Sequence, residues 1–353
     1  MGAVALTGCV KYHPRPLDPT RSEQQFRART LADSGLRSFL KRANWPPAKL
    51  GLNDLAAVAI YFNTDLDQAR AQFRMAQAGI MTAKARPNPS LSAGGGWESS
   101  PESPLAFHFD PTFILETAGK RGWRILDAEK MAEAARVGVA ETAWRVRSRV
   151  RAAWLDYMMA VSTLEALHHE REARAESVAV LENRLRAGAV SQPEVNVARS
   201  TLISLEVEAQ AAETTLRESG AVLASAVGLP ALPDIDTQTL PPTPAALPLA
   251  DVQKAGLLHR ADIRRSLLEY AAAEAALHLE IANQYPNLDL NPGYAFEEGS
   301  HVITFSTALL LPLLNRNHGP IAEAEARRSE AEARFNGLQA QAIGEMEIAL
   351  ARY

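Results

Sequence analysis

The sequence predicts a mainly α-helical protein with four β-strands, arranged as two copies of one helix-and-hairpin unit. Hydrophobic residues make up 47% of the 353 residues, yet only 6% are aromatic, a composition typical of long packed helices. Residues 52–97 align with residues 249–294 without a gap, at a constant offset of 197 (249 − 52). Each copy passes from an alanine-rich stretch through a proline, Pro89 or Pro286, to a segment of alternating apolar and polar residues. Such a repeat, with a change of period inside it, indicates a duplicated structural unit.

A single cysteine, Cys9, ends the run Leu6-Thr7-Gly8-Cys9, which resembles a bacterial lipobox. In a lipobox, cleavage before the cysteine leaves its thiol for lipidation, and Val10 in the next position favours the outer over the inner membrane. The pattern is short and lacks the basic region of a full signal peptide, so an incidental free cysteine is the alternative. A single cysteine leaves no disulfide framework to consider.

Several helices are predicted before the first strand. The segment 22–45 forms the first, which ends at the two prolines that follow it, because proline lacks the N–H that continues a helix. Asn53 is the predicted cap of the helix that opens the first repeat. This helix is expected to pause near residues 63–65, and its copy in the second repeat near residues 260–262.

Two pairs of alternating segments predict β-hairpins. Mostly apolar residues occupy every second position: Leu91, Ala93, Gly95 and Trp97; Phe107, Phe109, Phe113 and Leu115; Leu288, Leu290, Pro292, Tyr294 and Phe296; and Ile303, Phe305, Thr307 and Leu309. Segments of about 10 residues have the length of a tilted transmembrane strand. Two amphipathic hairpins on a soluble core are the alternative. The aromatic residues Trp97, Tyr294 and Phe296 favour the membrane, since they fall where an interfacial aromatic belt would lie.

Four strands in one chain cannot close a barrel. Open strand edges in lipid would leave backbone N–H and C=O groups unpaired, at several kcal/mol each. Copies of the chain must therefore pool their strands, and three copies give a trimeric barrel of twelve strands, wide enough for a pore.

Two long helices are predicted to form a coiled-coil hairpin. Residues 120–187 contain no proline and would make a helix of roughly 100 Å at 1.5 Å per residue. The returning helix repeats small or apolar residues in steps of three and four, as in a coiled-coil seam: Val195, Ala198, Leu202, Leu205, Ala209, Ala212, Leu216, Ser219, Leu223 and Ala226. Between the helices, Gly188 is expected to adopt the left-handed conformation and Ser191 to cap the next helix. Taken alone, this segment is a helix–helix turn.

The repeat, the hairpins and the proline-rich stretch predict an order of segments along the chain. They are a remnant of a lipoprotein signal peptide (1–9), an N-terminal periplasmic segment (10–51), first-repeat helices (52–87), a first outer-membrane β-hairpin (88–118), a long helical hairpin (119–229), a proline-rich connector (230–248), second-repeat helices (249–285), a second outer-membrane β-hairpin (286–313) and the start of a second coiled-coil arm (314–353).

The combination of these features resembles the TolC family of outer-membrane factors, from about residue 33 onward. It comprises the lipobox at Cys9, the duplicated unit, the strand pairs, the run Glu116-Thr117-Ala118-Gly119-Lys120-Arg121 and the turn from Arg184 to Ser191. The resemblance implies a homotrimeric efflux conduit with a twelve-stranded barrel in the outer membrane and a helical barrel through the periplasm. It also implies two protein partners, a periplasmic adaptor (membrane fusion protein) and an inner-membrane RND-type transporter.

Two finer expectations follow from the resemblance. The run Gly119-Lys120-Arg121 and the lipid anchor are most similar to the heavy-metal branch of CzcC type, which implies heavy-metal cations as substrates. The tip of the helical hairpin, represented by Leu185, Gly188 and Ser191, is the implied docking site for the adaptor.

The second half of the repeat is expected to be incomplete. Its long helix, from Gly319 to Tyr353, has about 35 residues against roughly 68 in the first half, and no returning helix follows it. An unpartnered apolar seam is unfavourable at roughly 25 cal/mol per Å². The sequence therefore predicts a chain truncated at both ends, without most of the second arm, which carries the gate in the family.

The sequence gives no support for catalysis, a cofactor, a metal site or nucleic-acid binding. Its 37 basic and 41 acidic residues are interspersed and give a net charge of −4, so no surface of one sign is predicted. His168 and His169 are adjacent and about 100° apart on a helix, so they do not converge on one ion. The alternative function is a periplasmic coiled-coil structural or adaptor protein without a pore, although the β-rich flanks usual in adaptors are not predicted.

Overall fold

The computed structural model describes residues 10–41, 45, 47, 49–97, 105–237, 256–297 and 299–352. The chain divides into two compact units, each built from two segments. Unit 1 comprises Met1–Thr64 and Arg145–Pro242, and unit 2 comprises Asp65–Trp144 and Thr243–Tyr353. Within the described residues, no helix combines the length and the apolar character needed to cross a membrane.

The described part of unit 1 is helical. It contains α1 (Pro19–Arg27), α2 (Ser34–Leu40), α3 (Leu52–Phe62), the second part of α5 (Lys120–Arg186) and α6 (Gln192–Val227). Helix α3 packs against both α2 and α6. Fully buried side chains on all three helices, among them Leu36, Leu55, Val58, Leu223 and Val227, place a core at this end of the unit.

The helix predicted over 22–45 was wrong, because two short helices with a break between them occupy this segment. Asp33 Oδ1 accepts the Leu36 N–H at 2.8 Å and so caps α2, and this hydrogen bond is the main cause of a lowered pKa at Asp33.

The predicted cap at Asn53 was also wrong. Gly51 is the N-cap of α3, and Asp54 Oδ2 accepts its N–H at 3.2 Å, which satisfies this donor from inside the helix.

Helices α5 and α6 form the predicted hairpin. Helix α5 has 67 residues, or roughly 100 Å at 1.5 Å per residue. Arg199 Nε of α6 donates to Glu182 Oε1 of α5 at 2.9 Å, close to the turn. Several buried residues of α6 lie on the predicted seam: Val195, Leu205, Ala209, Leu223 and Ala226.

Unit 2 combines all the described strands with helices. Its helices are α4 (Thr64–Lys84), the first part of α5, α7 (Ala261–Ala282) and α8 (His318–Arg352). Helix α4 enters the unit at Asp65. Its strands are β1 (Ser90–Trp97), β2 (Leu105–Leu115), β3 (Leu288–Glu297) and β4 (Ser300–Leu309). Helix α7 packs along α8. Both predicted helix pauses are confirmed, because Asn63 before α4 and Arg260 before α7 have non-helical ψ angles of 125° and 131°.

The strands form one antiparallel sheet in the order β1-β2-β3-β4. Pairing of β2 with β3 joins the two hairpins of the duplication, with Phe107 opposite Phe296 and Phe113 opposite Leu290. Between these pairs the β2–β3 ladder is interrupted around Pro111 and Pro292, since proline has no N–H to donate. In the described sheet, β1 and β4 are the two edges.

Candidate functional site

The register gives the sheet one apolar face. Residues directly opposite each other in an antiparallel ladder point to the same side, so the alternating apolar residues of the strands share one surface. That surface comprises Leu91, Ala93, Gly95 and Trp97; Leu105, Phe107, Phe109, Pro111, Phe113 and Leu115; Leu288, Leu290, Pro292, Tyr294 and Phe296; and His301, Ile303, Phe305, Thr307 and Leu309. The alternation predicted from the sequence is therefore confirmed.

Aromatic contacts hold this apolar face together. The Phe107 ring centroid lies 5.9 Å from that of Phe109 and 5.5 Å from that of Phe296, in the range where aromatic pairs attract. The face is exposed in a single chain, because Trp97 is 78% and Ile303 85% accessible to solvent. An exposed apolar patch of this kind marks a surface for a membrane or a protein partner.

The opposite face of the sheet is polar. It comprises Ser90, Ser92, Gly94 and Gly96; Ala106, His108, Asp110, Thr112 and Ile114; Asp289, Asn291, Gly293, Ala295 and Glu297; and Ser300, Val302, Thr304, Ser306 and Ala308. His108 Nε2 lies 3.9 Å from Asp110 Oδ2. The His108 ring lies against Gly94, and Asp110 lies against Gly293; a Cβ at either glycine would collide with these side chains. The glycines therefore let the ionisable groups lie along the sheet.

The turn from β2 to α5 carries a cluster of hydrogen bonds to the end of α4. Arg124 Nη1 and Nη2 donate to the two carboxylate oxygens of Glu116 at 2.6 and 3.2 Å, and Arg124 Nε donates to Ala83 O at 3.1 Å. Two nitrogens of Arg121 donate to Lys84 O at 2.9 and 3.1 Å. The last carbonyls of a helix have no partner within it, so these arginines cap α4 and place positive charge at the negative end of its dipole.

Burial and charge perturb the ionisable groups of this turn. Glu116 has 12% of its side chain exposed, and the hydrogen bond from Arg124 holds the pKa of its carboxyl below the ordinary range. The same hydrogen bond raises the pKa of Arg124. Lys120 is 7% exposed and donates from Nζ to Asn287 Oδ1 at 2.6 Å. Burial lowers the pKa of Lys120, because water stabilises the ammonium better than a partly apolar site does.

The second half of the repeat has a counterpart of this arrangement. Asn317 Nδ2, just before α8, donates to Glu280 O at 2.8 Å and to its carboxylate at 2.9 Å. Glu280 is the repeat equivalent of Ala83 (83 + 197 = 280). In both halves, therefore, the segment that follows a hairpin caps the helix that precedes it. Thr117 Oγ1 also donates to Pro286 O at 2.6 Å, which connects the end of β2 to the segment before β3.

The tip of the helical hairpin has the predicted geometry. Gly188 has a φ of 73°, its N–H donates to Leu185 O at 2.9 Å, and the next N–H donates to Arg184 O at 2.9 Å. These two bonds form a Schellman motif, which requires a left-handed residue. Ser191 is the N-cap of α6 as predicted, but its hydroxyl donates to Glu194 Oε1 at 2.8 Å and accepts no backbone N–H. Gly188 and Ser191 are exposed, and Leu185 is half-buried.

Cys9, His168 and His169 are the other residues considered from the sequence. Cys9 lies outside the described residues. In the described part of the chain, no group of three or more His, Cys, Asp or Glu side chains is arranged to hold a metal ion. His168 is half-buried and His169 is exposed.

Sequence reasoning missed the roles of Arg124 and Asn317. Arg124 and its acceptor Ala83 are 41 residues apart, and Asn317 and Glu280 are 37 apart, beyond the reach of a local pattern. One signal was present. Helix α4 is followed by Ala85-Arg86-Pro87, without the glycine that usually ends a helix, so its carbonyls needed donors from elsewhere.

A sheet with one apolar and one polar face, followed after short connections by helices of 67 and 35 residues, is the architecture expected of outer-membrane channels with long helical arms. The family model described as "Outer membrane efflux protein" matches residues 57–229. The chain belongs to this family, the TolC family of outer-membrane factors.

Individual relatives agree with this assignment. The cobalt-zinc-cadmium resistance protein CzcC of Cupriavidus metallidurans is 22% identical over 288 residues, which cover 81% of this chain and 68% of that protein. The crystal structure of CusC has a TM-score of 0.71 at 20% identity, over 88% of this chain and 77% of that one. The outer membrane channel CmeC of Campylobacter jejuni has a TM-score of 0.69 at 17% identity, over 90% of this chain and 76% of that one. The fold is therefore that of TolC-like channels.

Proposed function

We propose that this chain is the outer-membrane channel subunit of a tripartite efflux pump, and that it conducts passively, without chemistry or a cofactor. The two-faced sheet is the observation that carries the proposal. Its apolar face is suited to lipid and its polar face to water, as in transmembrane barrels. The family membership and the channel-like fold of its relatives support the same function.

The open edges of the sheet support assembly as a homotrimer. In the four-stranded antiparallel sheet, β1 and β4 run in opposite directions. The β4 edge of one copy can therefore pair antiparallel with the β1 edge of the next. Unpaired edges are not tolerated in lipid, and three copies close a barrel of twelve strands.

The helical hairpin is proposed to reach through the periplasm to the partners. The exposed tip at Leu185, Gly188 and Ser191 would dock the periplasmic adaptor, which connects the channel to an inner-membrane RND-type transporter.

Cys9 is proposed to carry the lipid that anchors the N-terminal segment to the outer membrane. The similarity to a cobalt-zinc-cadmium resistance protein supports heavy-metal cations as the substrates.

Two neighbouring residues of β4 test the membrane assignment. Phe305 is 73% exposed on the apolar face, and Ser306 belongs to the polar face. A lysine facing lipid costs about 2–4 kcal/mol near the midplane, whereas one facing a lumen does not. Phe305→Lys should therefore sharply reduce the SDS-resistant trimer recovered from outer membranes, and the matched Ser306→Lys should leave it nearly unchanged.

Two outcomes would overturn the proposal. Equal recovery of both variants would show that the apolar face does not meet lipid. Recovery of the wild-type chain as a soluble monomer would favour the alternative of a periplasmic coiled-coil structural or adaptor protein.

The tip is tested by two substitutions at Gly188. Gly188→Trp should reduce metal efflux from cells that express the adaptor and transporter, while the outer-membrane trimer still forms. Gly188→Asn is the matched control, because asparagine tolerates the left-handed conformation and should retain efflux. Unchanged efflux with correctly inserted Gly188→Trp would refute docking at this tip.

A further inference from the structure

The strands of the sheet carry acidic groups and no Lys or Arg. Lys and Arg account for 37 of the 353 residues, yet neither occurs anywhere in residues 87–115 or 284–311. The same two segments hold the carboxylates of Glu98, Glu102, Asp110, Asp289, Glu297 and Glu298. Positive charge begins again just outside the hairpins, at Arg86, Lys120 and Arg316. The charge of the hairpins is therefore of one sign, although that of the whole chain is nearly balanced.

Asp110 occupies the middle of the polar face. It lies opposite Ser92 on β1. On its other side Asp110 lies against Gly293 of β3, which pairs with Thr304 of β4, although the β2–β3 ladder itself is interrupted here. Asp110 Oδ1 and Thr304 Oγ1 approach Gly293 from its two sides, into space that a Cβ at this position would fill. The side chain is 43% exposed, so its carboxylate is accessible to water on this face. The carboxylate of Asp110 thus lies on the polar face of the sheet, between neighbours on β1 and β3.

The charged groups around Asp110 are few. The only ionisable side chain within salt-bridge distance of it in the described residues is His108, with Nε2 at 3.9 Å. Asp289 lies on the same face, opposite Ile114 and Ala308. With Lys and Arg absent from the strands, no fixed cation in the sheet neutralises either carboxylate.

We infer that Asp110 sets a preference of the conduit for cations, with Asp289 in support. The inference deepens the proposed function and rests on it, because only a closed barrel turns the polar face into the wall of a pore. Three copies then place Asp110 at the same level of the wall. Rings of acidic side chains attract cations and exclude anions in narrow aqueous pores, and low-dielectric walls strengthen that field. The chain thus favours cationic substrates through its own residues.

The test uses the full wild-type chain as a purified trimer in planar bilayers. The reversal potential is measured across a KCl gradient near 0.1 M, where the Debye length is about 10 Å. Wild type should prefer K⁺ to Cl⁻. Asp110→Asn should lower the permeability ratio of K⁺ to Cl⁻ by about twofold or more, as expected for removal of a ring charge. Near 1 M KCl, where the Debye length is about 3 Å, its conductance should match that of wild type.

Two control variants and a second charge variant separate charge from structure. Asp110→Glu keeps the charge and should keep the selectivity. Ser92→Ala changes the residue opposite Asp110 without changing charge and should also keep the selectivity. Asp289→Asn removes the second carboxylate and should lower the ratio independently, which covers the case in which Asp110→Asn fails to assemble.

Each outcome decides a separate question. A wild-type pore that prefers anions, or an Asp110→Asn pore with an unchanged reversal potential, overturns the inference and leaves the conduit intact. A wild-type trimer without any conductance overturns the proposed function, and the cation preference with it.

Discussion

Arg124 Nη1 lies 2.6 Å from Glu116 Oε1, at the point where β2 gives way to α5. The same guanidinium also donates to Ala83 O and Ala85 O at the end of α4. One side chain therefore fixes the end of a strand, the start of a long arm and the end of the preceding helix. Because Glu116 is 12% exposed, this contact should be sensitive to mutation.

Arg124→Ala should destabilise the protein. It removes a charge-assisted pair and leaves the largely buried carboxylate of Glu116 and the α4 carbonyl of Ala83 without this donor, at a cost of about 2 kcal/mol or more. The apparent unfolding temperature in detergent, followed by circular dichroism at a fixed scan rate, should fall. The control is Arg136→Ala, whose side chain is 63% exposed and 3.8 Å from Glu133; it should change little. Equal effects of the two substitutions would contradict this role of Arg124.

The pairing of Glu116 predicts a loss of stability in acid. The pKa of Glu116 is lowered below its ordinary value of 4.5, mainly by the hydrogen bond from Arg124. A carboxyl with a lowered pKa in the folded state contributes stability above its unfolded pKa and loses it as the pH falls through the folded value. The difference in unfolding temperature between wild type and Glu116→Gln should therefore be large at pH 7 and shrink below pH 4.5. A difference that is independent of pH would argue against the pairing.

The start of α7 and the distal part of α8 should be energetically coupled. Arg260 binds Asp262 through two bonds of 2.7 and 3.1 Å, and its Nη1 donates to Glu345 at 2.9 Å. Hydrogen bonds to both carboxylates raise the pKa of Arg260. Because Glu345 is 47% exposed, a double-mutant cycle of Arg260→Ala and Glu345→Ala should give a coupling of only about 0.5–1 kcal/mol. Additive effects on unfolding free energy would show that the pair contributes nothing.

Two glycines should respond to alanine in opposite directions. Gly228 ends α6 with a φ of 83°, and a Cβ there would lie 3.3 Å from Phe62 Cβ. Gly228→Ala should cost about 1–2 kcal/mol, because an L-residue in the left-handed region is strained. Gly337 is inside α8 and a Cβ there meets nothing within 4 Å, so Gly337→Ala should stabilise by about 0.5–1 kcal/mol. Denaturant unfolding measures both, and stabilisation by Gly228→Ala would refute the strain argument.

Local patterns explain what could be predicted from the sequence. The alternation around Phe107 and Tyr294 shows which residues of a strand share a face, because side-chain direction in a strand repeats every two residues. The left-handed Gly188 and the helix pauses at Asn63 and Arg260 are likewise set by neighbours in the chain. The break before Asp33 was missed, although an aspartate three residues before an apolar position is a recognisable cap.

Neighbouring residues along the chain are enough to specify the duplicated unit, the two faces of each strand, the long helical arm and its turn. Each of these depends on dihedral preferences and hydrogen bonds within a few residues. The tertiary structure decided that β2 and β3 join the two hairpins, and that Arg124 caps α4 while Asn317 caps α7. It also placed Asp110 opposite Ser92 and against Gly293, which pairs with Thr304. Such contacts bring together distant segments, whose pairing depends on the fit of whole surfaces and on the entropy of closing the chain between them.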